Sequence, residues 1–422
     1  MKQMLSLALA LAMMLSLAAI AYAEPTTITA WISDGAETVV YGEMFDDFNA
    51  KHEGEIVVDD QYFAQDELLN KLQTAPIVGD TPEIIIIDGL QIPYFQDLDM
   101  IACLDDYISE EMKNDVISSV WAENTYDGSI YGVAQFDSGM ALWTRRSILE
   151  KIGARIPTSY TEAWTLEEFE DILAKCKEIG YEYPLYIRQN RTSSVYFTWM
   201  PVIASFGGDY LDRSTMTATG TLDGEETIAA YEWMKKMIDE GYVNAACDYE
   251  DAFYGREEAA FSMLGHWKYS DHVGAFGDDA IIVPLPDFGG GVYTCSGSTV
   301  DVMTTAAVER GKADEAWTVL EALMSPEYIT MVCNVNGGVP ARSSVMDSME
   351  QWQEGGRLYL YREQLEGGIS YLRPITPAHA TMQSTTANVV SNILAGGDPA
   401  QELHEAAEYV DEIIYENGWN IE

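Results

Sequence analysis

The chain is predicted to fold as two α/β lobes. Strand and helix patterns alternate from Thr26 to Asp88, and the alternation resumes after residue 140. The roughly 400 residues beyond the leader are also too many for one compact core of ordinary size. Strand, helix, strand, helix, strand is the pattern of a sheet covered by helices.

Residues 1–23 are set apart as a signal peptide. Lys2 is their only charge, and an apolar run extends from Met4 to Ala21. Ala21-Tyr22-Ala23 has the small-x-small form that signal peptidase cuts, just before Glu24-Pro25. A retained anchor of similar apolar length is the competing reading. The first cysteine is Cys103, so no thiol stands at the cleavage site for lipid attachment. The mature chain is therefore expected free in the periplasm or secreted.

The first strand runs from Thr26 to Ile32, with Ile28, Ala30 and Ile32 alternating with other positions. Ser33-Asp34-Gly35 then leads into a helix whose apolar stripe is Val40, Met44, Phe45 and Phe48. A strand at Glu55–Val58 and a helix around Asp66–Leu72 precede the run Ile84-Ile85-Ile86-Ile87-Asp88. Such a short, continuously apolar run suits a strand buried on both faces. Farther on, Thr165 and Glu168 form a capping box that opens a helix through Lys177. Pro184–Ile187 reads as a strand, and Glu225–Glu240 as a helix closed by Gly241. From Met382 to Asn417 two amphipathic helices are broken at Gly396-Gly397.

Composition excludes several classes. The formal net charge is -46, which makes nucleic acid an improbable partner because phosphate binding needs clustered Lys and Arg. An acidic, solvated coat that keeps an exported protein soluble explains the charge. The 5 cysteines, Cys103, Cys176, Cys247, Cys295 and Cys333, are widely spaced and contain no C-x-x-C pair, so no zinc or thioredoxin-type site is indicated. Their pairing stays open. No Gly-x-Ser-x-Gly elbow, H-E-x-x-H or P-loop is present, and His52, His266, His272, His379 and His404 are scattered. Asp248-Tyr249-Glu250-Asp251 lacks the glycine and closing Glu of an EF-hand loop. No catalytic residue, metal site or cofactor is expected. An exported glycoside hydrolase is the remaining enzyme reading, since 69 acidic residues supply carboxylate pairs by chance.

Several ordered motifs resemble the family 1 extracellular solute-binding proteins of ABC importers. They are Ile28-Thr29-Ala30-Trp31 with Glu37 and Phe48-Asn49, Gly79-Asp80-Thr81-Pro82-Glu83, and Tyr126-Asp127-Gly128 with Tyr131-Gly132-Val133. Ala259-Ala260-Phe261-Ser262-Met263 with Gly265-His266-Trp267, Ala316 to Ser325, and Gly337–Arg342 continue the series. The resemblance implies the type II periplasmic-binding-protein fold, with hinged lobes joined by three crossings near Phe136–Gly139, Asp287–Gly291 and Met324–Pro326. Lobe 1 is then 24–136 plus 290–324, and lobe 2 is 137–289 plus 325–422. It implies a monomer that binds a sugar or oligosaccharide and delivers it to permease subunits. A phosphorylated polyol or a polyamine is the alternative cargo, with Arg188 and Arg191 as donors for phosphate.

A sugar offers apolar C–H faces to aromatic rings and hydroxyls to carboxylates, amides and guanidinium groups. By position in the family, Trp267 is the candidate stacking ring and Tyr196 the ligand-facing tyrosine, while Phe197 and Trp199 read as core. Ser33, Asp34 and Glu37 follow the first strand and reach the carboxyl edge of the sheet, with helix capping as the competing role. Asp88 ends the isoleucine run at the same edge, and Tyr62 and Asp137 are further candidates. Arg373 is placed to fork onto hydroxyls or a carboxylate, or else to pair on the surface. Gln383 stands where the maltodextrin protein has a stacking Trp, which argues for a shorter or differently shaped sugar.

Overall fold

The isoleucine run is the central strand of the first sheet. A computed structural model of the chain describes residues 24–191 and 194–420, so the predicted leader, 1–23, lies outside the described residues. Ile84–Asp88 pairs in parallel with Thr26–Ser33 and antiparallel with Thr299–Met303. Ile56–Phe63 extends the sheet in parallel on one side, and Gly132–Val133 antiparallel on the other. All four isoleucines are buried, because helices cover both faces. Thr38–Lys51 contributes Val40, Tyr41, Met44, Phe45 and Phe48 to this core, the stripe that helical spacing predicts. Ala313–Leu323 adds Trp317, Val319 and Leu320.

The second sheet has the order Ala280–Val283, Met140–Arg145, Phe261–Gly265, Leu185–Tyr186. Met140–Arg145 is antiparallel to both neighbours, while Leu185–Tyr186 runs parallel to Phe261–Gly265. Leu166–Glu178 opens on the predicted capping box, with both reciprocal hydrogen bonds formed. Glu225–Asp239, His379–Leu394 and Pro399–Asn417 pack their apolar faces into the same core. Gly396, at φ 98°, makes the predicted break in the tail with a left-handed backbone that side chains disfavour. Among the described residues no helix is long and apolar enough to cross a membrane, and all five thiols are unpaired.

The chain passes between sheets where Val133 ends one strand and Met140 begins another, so Phe136–Gly139 lies between them. The second and third crossings differ from expectation. Ser205 fixes 287–291 to the second lobe: its hydroxyl accepts from Phe288 N–H at 2.9 Å, and its carbonyl accepts from Gly290 N–H at 2.7 Å. Thr294–Ser296 remains there too, paired with Ser370–Leu372. The crossing is at Gly297-Ser298, just before Thr299 joins the first sheet.

Met324–Pro326 does not cross. Ser325 instead caps the helix Pro326–Asn336, its hydroxyl accepting from Tyr328 N–H at 3.3 Å. That helix lies on Thr38–Lys51, where the Tyr328 hydroxyl donates to Asp47 at 2.6 Å. Arg342 then pairs with Asp115 at 2.6 Å, keeping Ser343–Ser348 on the first lobe. The C-terminal turn of helix Pro326–Asn336 already meets the second lobe, where Ser270 Oγ donates to the Val335 carbonyl at 2.5 Å, and farther on Arg357 pairs with Asp278 at 2.5 Å and Glu363 accepts from Ser159 Oγ at 2.7 Å. Helix Pro326–Asn336 thus begins on the first helix and ends against the second lobe. A helix-capping Ser-Pro has the same local sequence as a crossing loop, which is why position alone misleads here.

Truncating the central strand tests this core. Ile86→Ala is expected to destabilise the fold by about 3 kcal/mol, read as a lower urea midpoint. Val39→Ala, at a side chain 72% exposed on the first helix, should stay within about 0.5 kcal/mol of the parent.

Candidate functional site

Between the lobes lies a cleft of about 480 Å³. Its first-lobe wall is the loop Ser33 to Glu37 together with Asp88, both following parallel strands of one sheet. Parallel neighbours end at the same edge, and a crevice outside that edge is where open α/β sheets bind ligands. Its second-lobe wall carries Arg188, Arg191, Ser194, Phe197, Thr198, His266 and Trp267. Gly297, Ser298 and Thr299 enter from the second crossing, and Arg373 and Gln383 from the C-terminal segment.

At the floor, Arg373 Nη2 donates to both oxygens of Asp88, each at 3.1 Å. Arg373 is only 2% exposed. Its guanidinium faces the rings of Phe197, 4.8 Å to the centroid, and Tyr196, 5.4 Å. Burial pushes the Asp88 carboxyl up, but Arg373, His379 and the Leu90 N–H outweigh it and hold the group below its ordinary value.

Behind the pair stands Glu123, whose oxygens accept from Ser298 N–H at 3.0 and 2.8 Å and from its hydroxyl at 2.9 Å. Burial, then the charges of Asp88 and Asp137, push Glu123 up to about 8, against the lowering pull of Ser298 and Arg373. The protonated form of Glu123 is therefore favoured well above its ordinary range. Gly89 makes room for it: a Cβ there would lie 2.4 Å from the Glu123 carboxyl carbon.

The aromatic wall is Trp267 set edge-on to Phe197, with centroids 5.6 Å apart and planes at 70°. Gly265 lets the indole fold back over its own strand, because a Cβ at that position would meet the ring at 2.1 Å. The neighbouring His266 is locked in one tautomer. Its Nδ1–H donates to the Asn336 carbonyl at 3.0 Å, leaving Nε2 to accept from the Ser138 hydroxyl at 3.0 Å. Burial lowers its pKa to about 4, so the ring stays neutral. Glu37, raised by burial, accepts from Asn336 Nδ2 at 2.9 Å.

Of the residues singled out in the sequence, Ser33, Asp34, Glu37, Asp88, Trp267, Arg373 and Gln383 come together around this cleft. Asp34 does not cap the helix that follows; it accepts from the Thr38 hydroxyl at 2.6 Å. Three candidates lie elsewhere. Tyr196 is 0% exposed, packed between Tyr210 and His379. On the short helix Val195–Thr198, the face carrying Ser194, Phe197 and Thr198 at i, i+3 and i+4 looks into the cleft. Phe197, read as core in the sequence, therefore takes the place assigned to Tyr196. Tyr62 lies against the first core with its hydroxyl beside Gly42 of the first helix. Asp137 is a hinge group, its Oδ1 accepting from Ser138 N–H at 2.7 Å and Gly297 N–H at 3.0 Å. Arg188 was legible only as a basic residue before that helix; its left-handed backbone, φ 59°, had no signal in the sequence.

Two α/β lobes around a cleft of this kind define a solute-binding fold. Residues 43–358 match the bacterial extracellular solute-binding proteins, and the chain belongs to that family. No curated protein matches it in sequence. Among solved structures, the GacH receptor of Streptomyces glaucescens, studied with acarbose, superposes with a TM-score of 0.77 at 20% identity, covering 93% of this chain and 98% of that one. T. maritima MalE3 bound to maltose gives 0.79 at 18% identity, covering 92% and 100%. UgpB from Mycobacterium tuberculosis with glycerophosphocholine gives 0.78 at 18%, covering 92% and 98%. These neighbours establish the two-lobed fold.

The raised Glu123 predicts a pH dependence of stability. Between its ordinary 4.5 and about 8 the folded state holds a proton that the unfolded chain releases, so stability falls as pH rises through that window. Asp301, pushed to about 8 by burial, adds to the slope. Melting temperature should fall from pH 5 to pH 8, and less steeply in Glu123→Gln; identical slopes would refute the assignment.

Proposed function

We propose that this chain is the extracytoplasmic receptor of an ABC importer, closing on a sugar or short oligosaccharide and presenting it to the permease subunits. The observation that carries the reading is the wall of Trp267 and Phe197 facing carboxylate, amide and guanidinium groups across one cleft. Rings receive the C–H faces of a sugar, while Asp34, Glu37 and Gln383 are placed for its hydroxyls. Gln383 in place of a third ring favours a short ligand. The sugars held by the GacH receptor and MalE3 support the same class. On this reading the protein acts as a monomer in the periplasm or outside the cell, after cleavage behind Ala23, and binds without turnover.

A phosphorylated polyol is the second reading, favoured by one observation. The whole chain carries 69 acidic and 23 basic residues, three to one. The cleft sets Arg188, Arg191 and Arg373 against Asp34, Glu37 and Asp88, one to one. Glu250 already pairs with both Arg188 and Arg191, which keeps the neutral sugar first.

The test is a panel of mono- and oligosaccharides with phosphate esters, added to protein starting at Glu24 and followed by melting temperature. A saccharide is expected to raise it, and Trp267→Ala to weaken that binding at least about tenfold. A shift with glycerol phosphate and with no sugar would overturn the carbohydrate reading.

A further inference from the structure

We propose that Asp88 and Arg373 form an interlobe positioning pair that ties the closure of the lobes to the placement of the aromatic wall. The inference rests on the cleft being the solute site, and it assigns these two residues a role other than ligand contact.

The two partners belong to different bodies. Asp88 ends the central strand of the first lobe. Arg373 follows Ser370–Leu372, which is fastened to the second lobe. There Tyr371 donates to Asp209 at 2.9 Å, and Arg213 donates to the Leu372 carbonyl at 2.7 Å. The pair therefore bridges the lobes at the floor, beside the second crossing. A Cβ on Gly297 would lie 3.5 Å from Arg373 Nη2 and 3.6 Å from Phe197, so the crossing strand packs directly on the pair.

Asp88 is the more fully engaged partner, since Arg373 Nε has no hydrogen-bond partner among the described residues. One guanidinium nitrogen holds both Asp88 oxygens, and Asp88 Oδ1 also accepts from Leu90 N–H at 3.0 Å. Rotation of one lobe away from the other would separate the two charges and break both charge-assisted hydrogen bonds. The Arg373 guanidinium lies over the Phe197 ring, and Phe197 meets Trp267 edge-on. A line of contacts thus runs from the first lobe through Asp88, Arg373 and Phe197 to Trp267. A solute stacked on Trp267 and a closed floor favour the same arrangement of these four side chains.

Small-angle X-ray scattering of the ligand-free full mature chain tests the pair, with Asp88→Asn, Arg373→Gln, the double variant and Arg373→Lys. Asp88→Asn is nearly isosteric and keeps the test alive should Arg373→Gln fail to fold. Either single variant is expected to raise the radius of gyration. The double variant should raise it no further than one single change, and Arg373→Lys should restore part of the wild-type value. Unchanged scattering with only a lower melting temperature would overturn the proposal, leaving a purely structural pair. Additive increases in the double variant would overturn it as well. The readout needs no ligand, so it stands or falls separately from the saccharide panel.

Discussion

The ion pair between Asp88 and Arg373 sits where the two sheets approach each other, and the surrounding residues conform to it. A guanidinium that is 2% exposed persists only beside a carboxylate, because an unpaired charge in that setting is too costly to keep. Burial, reinforced by the ionised Asp88, favours the protonated form of Glu123, whose oxygens accept from Ser298. Gly89 is bare because Glu123 occupies the space where a Cβ would stand, and Gly297 because its φ of 128° disfavours a side chain and a Cβ there would meet Glu123 at 3.0 Å. The second crossing is thereby pressed against the floor of the cleft, and the hinge and the binding surface share one set of side chains.

That sharing explains how a protein of net charge -46 presents a balanced cleft. The acidic surplus is carried on outward helix faces such as Pro399–Asn417, where it is solvated. The arginines that reach the cleft are each matched locally, Arg373 by Asp88 and both Arg188 and Arg191 by Glu250. A charge-balanced site with directional donors and acceptors beside half-buried rings suits a hydroxylated solute, whose recognition depends on geometry more than on charge.

Periodic features were legible in the sequence. The continuous isoleucine run, the stripe from Val40 to Phe48 and the Thr165–Glu168 box each reflect local physics, and the chain folds as they require. The loop from Ser33 to Glu37, with Asp88, was legible because strands of one parallel sheet finish at a common edge. What stayed hidden depends on long-range packing. Tyr196 and Phe197 are adjacent aromatics, and only the rotation of a four-residue helix decides which faces the cleft. Arg373 finds its partner 285 positions away, a separation that no pattern in the sequence encodes. Ser325-Pro326 is equally suited to a crossing or a helix start, and its packing on the first helix decides between them.

A crystal structure of the mature chain with a bound saccharide is the most direct measurement. The account predicts the sugar ring stacked on Trp267 and Phe197 between the lobes, with Arg373 still joined to Asp88 beneath it. A saccharide gripped by Arg373, with Asp88 released to solvent or to the ligand, would contradict it.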